Sequence, residues 1–471
     1  MSAESELEGE QSNAVGDRVR RAVTDQKQYF QTGLTRELAS RIETLGRLRT
    51  MISRYEDRIL EAVAADLGKP GVEAYTTEIG VVYQELSLLR RKLRRWARPR
   101  RRRTPLALAF STSYVTPQPY GVALVVAPWN YPFQLAFAPV IGALAAGNTV
   151  ILKPSEVSSN TSTLIEEMVR ETFEPGLFQV IEGDKDVAGA LLEQPFDYIF
   201  YTGNTGVGRI VLRKAAERLI PATLELGGKS PCIVTGRADV EIAARRIAWG
   251  KFLNAGQTCV APDFCLVHDS IYEQFLQALG RAITDFYGNR PAESPDYARI
   301  IAQRHVDRIA GMVDSEKVVF GGEIRREERY IAPTVMRDVS WSDRVMEDEI
   351  FGPVLPVLRY EDNREVLEPL GSRERPLALY VFTEDRREAS EITSQLTFGG
   401  GCINDTLVHV ANSHLPFGGV GASGMGRYRG KASFEAFSYM KSVVNHRSRP
   451  DFRVRYPPYE GKLKILKRLV R

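Results

Sequence analysis

The chain has 471 residues, of which 43% are hydrophobic and only 4 are cysteines. At roughly 150 residues per domain this length predicts about three domains, and the composition excludes a disordered, collagen-like or disulfide-stapled protein. The cysteines include no Cys-x-x-Cys pair, and the 5 histidines lack a zinc-ligand spacing. These observations predict no metal site and a reducing, cytoplasmic compartment.

The charge is concentrated in two segments. The net charge is +4 at pH 7, but 10 basic residues and no acidic residue lie between Arg90 and Arg103, and 5 more basic residues follow Gly461. The rest of the chain is therefore acidic and offers partners for these arginines, so we expect no nucleic-acid binding. The basic C-terminal tail, 451–471, predicts at most a weak, peripheral contact with an anionic membrane.

No segment has the pattern of a membrane anchor or an export signal. The N-terminus is acidic and polar, and the most apolar stretch, Phe133 to Ala146, is shorter than the ~20 residues that span a bilayer. We therefore expect neither a transmembrane helix nor secretion.

Helices are predicted for the N-terminal part of the chain. Roughly the first 15 residues look like a solvated lead-in. Apolar residues then recur at three- and four-residue spacing from about Thr35 to Lys69, which predicts one amphipathic helix. A second helix is predicted from about Val72 to Ala97, ending before Pro99.

From Gly121 onward, short β-branched runs alternate with helical segments. The predicted strands are Val122–Ala127, Thr149–Leu152, Phe178–Ile181, Tyr198–Tyr201, Thr223–Leu226 and Cys232–Val234. The predicted helices between them are Phe133–Ala146, Thr161–Thr172, Val187–Leu192 and Val207–Arg218. This alternation predicts an α/β fold with a mostly parallel sheet, which binds ligands at the carboxyl ends of its strands. A second α/β stretch follows, up to about Val410.

Three features offer reactive or anion-binding groups. The glycine loop 202–208 follows a strand and opens a helix, a context that favours pyrophosphate, although a plain strand-to-helix turn also needs glycine. Cys259 ends the segment NAGQTC, and a lone cysteine is more often a buried apolar residue than a nucleophile. Glu225 ends a predicted buried strand before two glycines, where it is either paired structurally or tuned as a general base.

Two further turns end strands of the same sheet. Asn130 lies between two prolines in PWNYP and is a rigid amide donor suited to an oxyanion, although such residues also make packed turns. Lys153 and Glu156 offer an ammonium and a carboxylate, in a tetrapeptide that by itself is typical of a surface turn.

Seven ordered motifs resemble the aldehyde dehydrogenase superfamily. They are PWNYPF at Pro128–Phe133, ILKPSE at Ile151–Glu156, YTGNTGVG at Tyr201–Gly208, ELGGKSP at Glu225–Pro231, GQTC at Gly256–Cys259, EIFGPVLPV at Glu349–Val357 and LPFGGVGASGMG at Leu415–Gly426. The motifs EAYTTEIGVV at Glu73–Val82, SFEAFS at Ser433–Ser438 and RYPPY at Arg455–Tyr459 resemble the class-three branch, which oxidises fatty and aromatic aldehydes.

The resemblance implies a role for each of these residues. Cys259 would be the nucleophile, Asn130 the oxyanion donor and Glu225 the general base. A nicotinamide cofactor, NAD or alternatively NADP, would be bound by Lys153, Glu156, Gly203, Asn204, Gly208, Leu226, Gly227, Glu349 and Phe351. Tyr131 and Phe417 would line the aldehyde pocket.

The resemblance also implies the domain organisation. We expect an NAD(P)-binding Rossmann-like domain at 1–100 and 120–225, an α/β catalytic domain at 226–437, and a small β oligomerisation hairpin at 101–119 joined by 438–450, which together form a homodimer. The substrate would be a medium- or long-chain aliphatic or an aromatic aldehyde, oxidised to its carboxylate. Acyl transfer to coenzyme A and a non-catalytic binding role are the alternatives; an intact Glu225 disfavours the first, and the complete set of catalytic positions disfavours the second.

Overall fold

A computed structural model describes residues 3–105, 108–451 and 453–470. The N-terminal part is helical: α1 Ala3–Gln31, α2 Leu38–Arg54, α3 Glu56–Leu67, α4 Gly71–Ala74 and α5 Gly80–Trp96, with a π-helical turn Tyr75–Ile79 between the last two.

Two of the N-terminal predictions are wrong. The expected lead-in belongs to helix α1, which is anchored by Val19, Ala22 and Val23 in a buried core. The single helix expected from Thr35 to Lys69 is two helices, because the backbone leaves helical geometry at Tyr55 (φ −105°, ψ 8°). Acidic residues then occupy the first turn of α3, where their negative charge interacts favourably with the positive end of the helix dipole.

From Val122 onward, the next elements follow the predicted alternation to within two residues. Two strands precede that alternation, and the full order is β1 Arg100–Arg102, β2 Ser111–Pro119, β3 Val122–Val126, α6 Gln134–Ala146, β4 Thr149–Lys153, α7 Ser159–Thr172, β5 Phe178–Val180, α8 Lys185–Leu192, β6 Tyr198–Thr202, α9 Thr205–Glu217, β7 Ala222–Glu225 and β8 Pro231–Val234. Along β3, Ala123 and Val125 belong to one core while Val122 and Leu124 belong to another. Both faces of the sheet are therefore buried, as in parallel α/β sheets.

The second half repeats this architecture. Its elements are α10 Val240–Phe252, β9 Phe264–His268, α11 Tyr272–Tyr287, α12 Gln303–Ala310, β10 Val318–Phe320, β11 Ile324–Arg325, β12 Tyr330–Ile331, β13 Thr334–Met336, β14 Val354–Tyr360, α13 Arg364–Ser372, β15 Ala378–Phe382, α14 Arg386–Gln395, β16 Gly400–Ile403, β17 Gly424–Met425, α15 Lys431–Ala436, β18 Ser438–His446 and α16 Leu463–Val470.

Three main sheets organise these strands. The first has the order β17-β7-β6-β3-β4-β5, and the second has the order β10-β13-β14-β9-β8-β15-β16. Both are parallel apart from β17 and β10, which pair antiparallel at an edge. The strand β17 brings the glycine-rich segment that follows the second sheet back onto β7, so residues from both halves meet at the carboxyl end of β7.

The third sheet is antiparallel and separate. Strand β18 pairs with β2 from Ser438 opposite Pro119 to His446 opposite Ser111, and β1 lies on the other side of β2. These strands fall in the segments predicted as the oligomerisation hairpin, of which residues 106–107 lie outside the described residues. Of the basic tail, residues 452 and 471 lie outside them too. No helix among the described residues is long and apolar enough to cross a membrane.

Candidate active site

A cavity of about 1100 Å³ lies between the two parallel sheets. The predicted site residues that line it are Asn130, Lys153, Glu156, Gly203, Asn204, Glu225, Leu226, Gly227, Cys259, Glu349, Phe351 and Phe417. Tyr131 and Gly208 lie behind its wall; a Cβ on Gly208 would come within 2.7 Å of the Leu226 side chain. The structure thus brings together residues that are dispersed over most of the sequence.

The loop that carries Cys259 is tightly constrained. After α10, Asn254 and Ala255 both adopt left-handed conformations with φ of 53° and 50°. A Cβ on Gly256 would lie 2.3 Å from the carbonyl oxygen of Gly352, so only glycine fits there. The half-buried Glu73 carboxylate accepts a hydrogen bond of 2.9 Å from the Asn254 N–H. Such strained backbone persists only where its surroundings hold it, and it fixes where Cys259 points.

Asn130 is attached to the same loop. Its side-chain Nδ2 donates to the Gln257 carbonyl at 3.0 Å, and its own carbonyl accepts from Asn254 Nδ2 at 2.8 Å. The Asn130 side chain is buried, and an amide carries two N–H groups, so one donor is left for a ligand. The Asn130 amide and the Cys259 loop are therefore held in one hydrogen-bonded unit.

Electrostatics keep the Cys259 thiol protonated. Burial raises its pKa to about 12, and the nearby carboxylates of Glu349 and Glu225 add to this effect by disfavouring a second negative charge. The backbone N–H groups of Cys259 and Val260 act in the opposite direction, more weakly. The resting group is the neutral thiol.

Glu225 lies at the carboxyl end of β7 and is 3% exposed. Among the described residues, neither of its carboxylate oxygens has a hydrogen-bond partner. Burial raises the pKa of Glu225 well above its usual range, while the positive charges of Arg427 and Arg429 oppose that shift. A carboxyl group with free oxygens and a raised pKa has the properties of a general base or acid.

The other end of the cavity is suited to a phosphate-containing ligand. Asn204 is the N-cap of α9 and accepts a hydrogen bond of 2.9 Å from the Val207 N–H. A Cβ on Gly203 would lie 2.2 Å from the Tyr201 hydroxyl, so the loop approaches the strand as only glycine allows. A helix N-terminus that opens into a cavity favours an anion.

Two carboxylates flank this helix terminus. Lys153 Nζ lies 2.5 Å from Glu156 Oε2, with the ammonium buried and the carboxylate side chain 47% exposed. A Cβ on Gly227 would lie 2.1 Å from Glu349 Oε2. Burial and the charge of Asp263 raise the pKa of Glu349 to about 8, against the opposing effect of the Gly228 N–H. The donor set, with polar groups at both ends and a glycine cradle between them, fits a dinucleotide.

Comparisons with known proteins agree with this geometry. Residues 3–443 match the aldehyde dehydrogenase family. The chain belongs to the aldehyde dehydrogenase family. It is 46% identical over 445 residues, 94% of this chain and 97% of the relative, to the 4,4'-diaponeurosporen-aldehyde dehydrogenase of Staphylococcus aureus (strain NCTC 8325 / PS 47).

Two further likenesses refine the assignment. The chain is 43% identical to the dimeric NADP-preferring aldehyde dehydrogenase of Rattus norvegicus, over 96% of this chain and 99% of that one. The solved structure of the substrate-bound state of Staphylococcus aureus AldH is 45% identical and superposes with a TM-score of 0.94, covering 96% of this chain and 99% of that chain. The predicted class-three branch, the α/β fold and the identity as an NAD(P)-dependent aldehyde dehydrogenase are confirmed.

Several residues of this dehydrogenase's cavity were not predicted from the sequence. The Trp129 ring lies 5.1 Å from the His305 ring and 5.4 Å, edge-on, from the Phe351 ring. Burial lowers the pKa of His305 to about 4, with a further contribution from the cations Arg304 and Arg308, so this ring is neutral at pH 7. No local pattern marks His305, because its contacts come from a distant part of the chain.

A buried ion pair supports the Asn130 turn. Lys69 Nζ lies 2.7 Å from Glu78 Oε1, and both side chains are fully buried. The same ammonium lies 4.2 Å above the Tyr131 ring, whose hydroxyl shares a hydrogen bond of 2.6 Å with Thr258 Oγ1. Tyr131 therefore links the helical N-terminal part to the residue that precedes Cys259.

His409 lies behind the pocket wall, with its ring 6.2 Å from that of Phe417. Its Nδ1 lies 3.5 Å from Cys402 Sγ, but its buried Nε2 has no hydrogen-bond partner among the described residues. Burial lowers the pKa of His409 to about 4, so the ring is neutral at pH 7 and no unpaired positive charge is buried there. Its ring and that of Tyr428 both lie against Phe417.

Proposed function

We propose that this enzyme oxidises medium- or long-chain aliphatic or aromatic aldehydes to carboxylates, with Cys259 as nucleophile, Asn130 as oxyanion donor and Glu225 as general base. The observation that carries the proposal is the convergence of these three side chains on one cavity, which extends to the N-terminus of α9. A thiol, an amide donor and a carboxylate with free oxygens are the groups that oxidation through a thioester requires.

The first step is addition of the Cys259 thiol to the aldehyde. The Sγ–C bond forms, and the proton that leaves sulfur ends on the former carbonyl oxygen, giving a thiohemiacetal. The negative charge that develops on this oxygen is stabilised by the second N–H of the Asn130 amide and by the Cys259 backbone N–H. Because Asn130 and the Cys259 loop form one hydrogen-bonded unit, the two donors keep a fixed separation.

Hydrolysis of the thioester is the task of Glu225. A bound nicotinamide cofactor would supply the acceptor for the hydride of the thiohemiacetal carbon. Loss of that hydride, with release of the hydroxyl proton to solvent, would leave the Cys259 thioester. Glu225 then removes a proton from water, and the resulting hydroxide attacks the thioester carbon. The Cys259 sulfur leaves and recovers its proton from Glu225, so that thiol and carboxylate are both restored and the product is a carboxylic acid.

The residues that would hold the cofactor divide between its two ends. Lys153 and Glu156 would bind the hydroxyl groups of the adenosine ribose, and the α9 N-terminus, with Gly203 and Asn204, would bind the pyrophosphate. Glu349 would bind the nicotinamide ribose. All of these residues line the same cavity, which supports this assignment. The exposed charge of Glu156 would repel a 2′-phosphate, so we propose NAD as the preferred cofactor, with NADP as the alternative.

The apolar lining of the cavity supports the proposed substrate class. Trp129, Leu135, Phe417 and Tyr428 form part of its wall beside Cys259. A hydrophobic wall binds aliphatic and aromatic aldehydes and discriminates only modestly between chain lengths. The Staphylococcus aureus relative is named for a 4,4'-diaponeurosporen-aldehyde.

A spectrophotometric panel tests the proposal. The purified enzyme, given NAD or NADP with short, medium-chain, long-chain and aromatic aldehydes, should produce reduced cofactor fastest with the apolar aldehydes. Cys259→Ala should abolish turnover. Glu225→Gln should allow one equivalent of reduced cofactor to form in a rapid burst and should then stall, because only hydrolysis is impaired. Turnover by Cys259→Ala, or steady wild-type-like turnover by Glu225→Gln, would refute the assigned roles.

We also propose a cytoplasmic homodimer, formed through strands β2 and β18, with at most a weak peripheral membrane contact through the tail. Support for the dimer comes from the three-stranded sheet and from the rat relative, which is named dimeric.

A further inference from the structure

The buried Glu225 and the half-buried Arg427 both lie next to Gly418. The Cβ position of Gly418 is 2.8 Å from Glu225 Oε1 and 3.1 Å from Arg427 Cδ. The backbone of Phe417 pairs with that of Tyr428 through hydrogen bonds of 2.9 and 2.8 Å, which fixes the segment carrying Arg427 against Gly418. The absence of a side chain at Gly418 therefore leaves the space between Glu225 and Arg427 open.

The two groups are close but not paired with each other. Both oxygens of Glu225 and the Nη1 of Arg427 are buried without a hydrogen-bond partner among the described residues. Burying an unpaired charge is strongly unfavourable, and a nearby opposite charge reduces that cost. The positive charge of Arg427 therefore opposes the effect of burial on Glu225.

The other titratable groups around Glu225 do not replace Arg427. Arg429 is also nearby, but its charge is shared with the buried carboxylate of Glu85, and its guanidinium lies 5.3 Å from the centre of the Tyr428 ring. Tyr198, Tyr428 and Cys259 also face Glu225, and burial raises the pKa of each of them, so all three are neutral at pH 7. Arg427 is the cation with the larger effect on Glu225.

We propose that Arg427 is a positioning residue for Glu225: across the open space at Gly418, its positive charge favours the ionised form of the carboxylate that removes a proton from the hydrolytic water. This inference rests on the proposed role of Glu225 as general base. Arg427 transfers no proton itself. Its effect is confined to thioester hydrolysis, so aldehyde addition and hydride loss do not depend on it.

The test separates the two halves of the reaction. In Arg427→Met, the rapid burst of reduced cofactor should keep its wild-type amplitude and rate, while kcat at pH 7 should fall at least tenfold. The pKa that limits kcat on the acidic side should rise by at least one pH unit, because the ionised form of Glu225 has lost the cation with the larger effect on it. Arg427→Lys should recover most of kcat and of the pH profile, since it restores the charge.

Two controls keep the outcomes distinct. Arg325→Met removes an exposed arginine on β11 and should leave the burst, kcat and the pH profile unchanged. Glu225→Gln tests the underlying function: if it turns over normally, the proposed base is wrong. If Glu225→Gln stalls after the burst but Arg427→Met retains the wild-type pH profile, the role of Arg427 alone is overturned. Loss of the burst in a folded Arg427→Met would also overturn it, because such a loss indicates a general disruption of the site.

Discussion

At the scale of the residue, the most consequential value is the pKa of Cys259, about 12. A thiol reacts with alkylating agents only as thiolate, so the cofactor-free enzyme should be alkylated at Cys259 about a hundredfold or more slowly at pH 7 than a free thiol. The rate should rise about tenfold per pH unit above neutrality, because the thiolate is the minor form until the pH approaches the pKa.

Iodoacetamide labelling between pH 6 and 10, with the modified peptide quantified by mass spectrometry, measures this rate. Cys259→Ala provides the background from Cys402, which is half-buried, and from the fully buried Cys232 and Cys265. Labelling of Cys259 at pH 7 as fast as that of free cysteine would show that the thiol is not held in its neutral form. Because oxidation also proceeds through the thiolate, we expect Cys259 to oxidise slowly at neutral pH.

At the scale of the element, helix α9 joins the fold to cofactor binding through its first residue. The Asn204 side chain caps the helix, and its removal in Asn204→Ala should lower the free energy of unfolding by about 1 kcal/mol. Because the same N-terminus opens into the cavity, fraying of the first turn should also weaken dinucleotide binding. Asn204→Ser keeps a capping oxygen and should preserve both properties.

The N-cap residue of a second helix, away from the cavity, serves as the matched control. Asp239 caps α10 through the Ile242 N–H and does not line the cavity. Asp239→Ala should lower stability by a similar amount and leave dinucleotide affinity unchanged. Denaturant unfolding and calorimetric titration of NAD distinguish the two effects. Equal NAD affinity in Asn204→Ala and wild type would contradict the prediction, because it would show that the helix cap does not contribute to dinucleotide binding.

The helices and strands show which parts of this fold the sequence can predict. The buried parallel strands are short β-branched runs bounded by glycine or proline, so their positions were predictable to within two residues. Helix α1 was not predictable from the sequence, because its few apolar residues are separated by polar residues that are also typical of a solvated segment. The break at Tyr55 was hidden for the opposite reason: the apolar spacing continues through α2 and α3 as though they were one helix.

The residues of the candidate site also differ in how far the sequence predicts them. The motifs around Cys259, Glu225 and Asn130 are local, and the structure places all three on one cavity. Arg427 lies outside the quoted motifs, and only the fold brings it near Glu225. Glu73 opens the motif EAYTTEIGVV, but nothing in that motif indicates its hydrogen bond with the distant Asn254. A carboxylate that fixes a strained loop cannot be distinguished, in sequence alone, from any other glutamate on a helix.

At the scale of the whole molecule, the three-stranded sheet has an open edge at β18. Tyr439, Met440 and Val444 on this strand are 44%, 41% and 51% exposed. An exposed, apolar edge strand invites pairing with another chain unless it is protected, and a two-fold arrangement would cover both copies at once. The seven-stranded sheet ends in another open strand, β16, with Ile403 53% exposed.

The proposed dimer can be tested at that edge. Met440 and Val444 alternate onto the same face of β18, so Met440→Lys with Val444→Lys places two charges on the surface that would be buried between subunits. Size-exclusion chromatography with light scattering should give a dimer for the wild type and a monomer for this variant. Val72→Lys with Leu219→Lys changes two residues that are 80% and 90% exposed, and it should stay dimeric. A dimer that survives both lysines in β18 would place the interface elsewhere, because two like charges repeated by symmetry could not remain buried in contact.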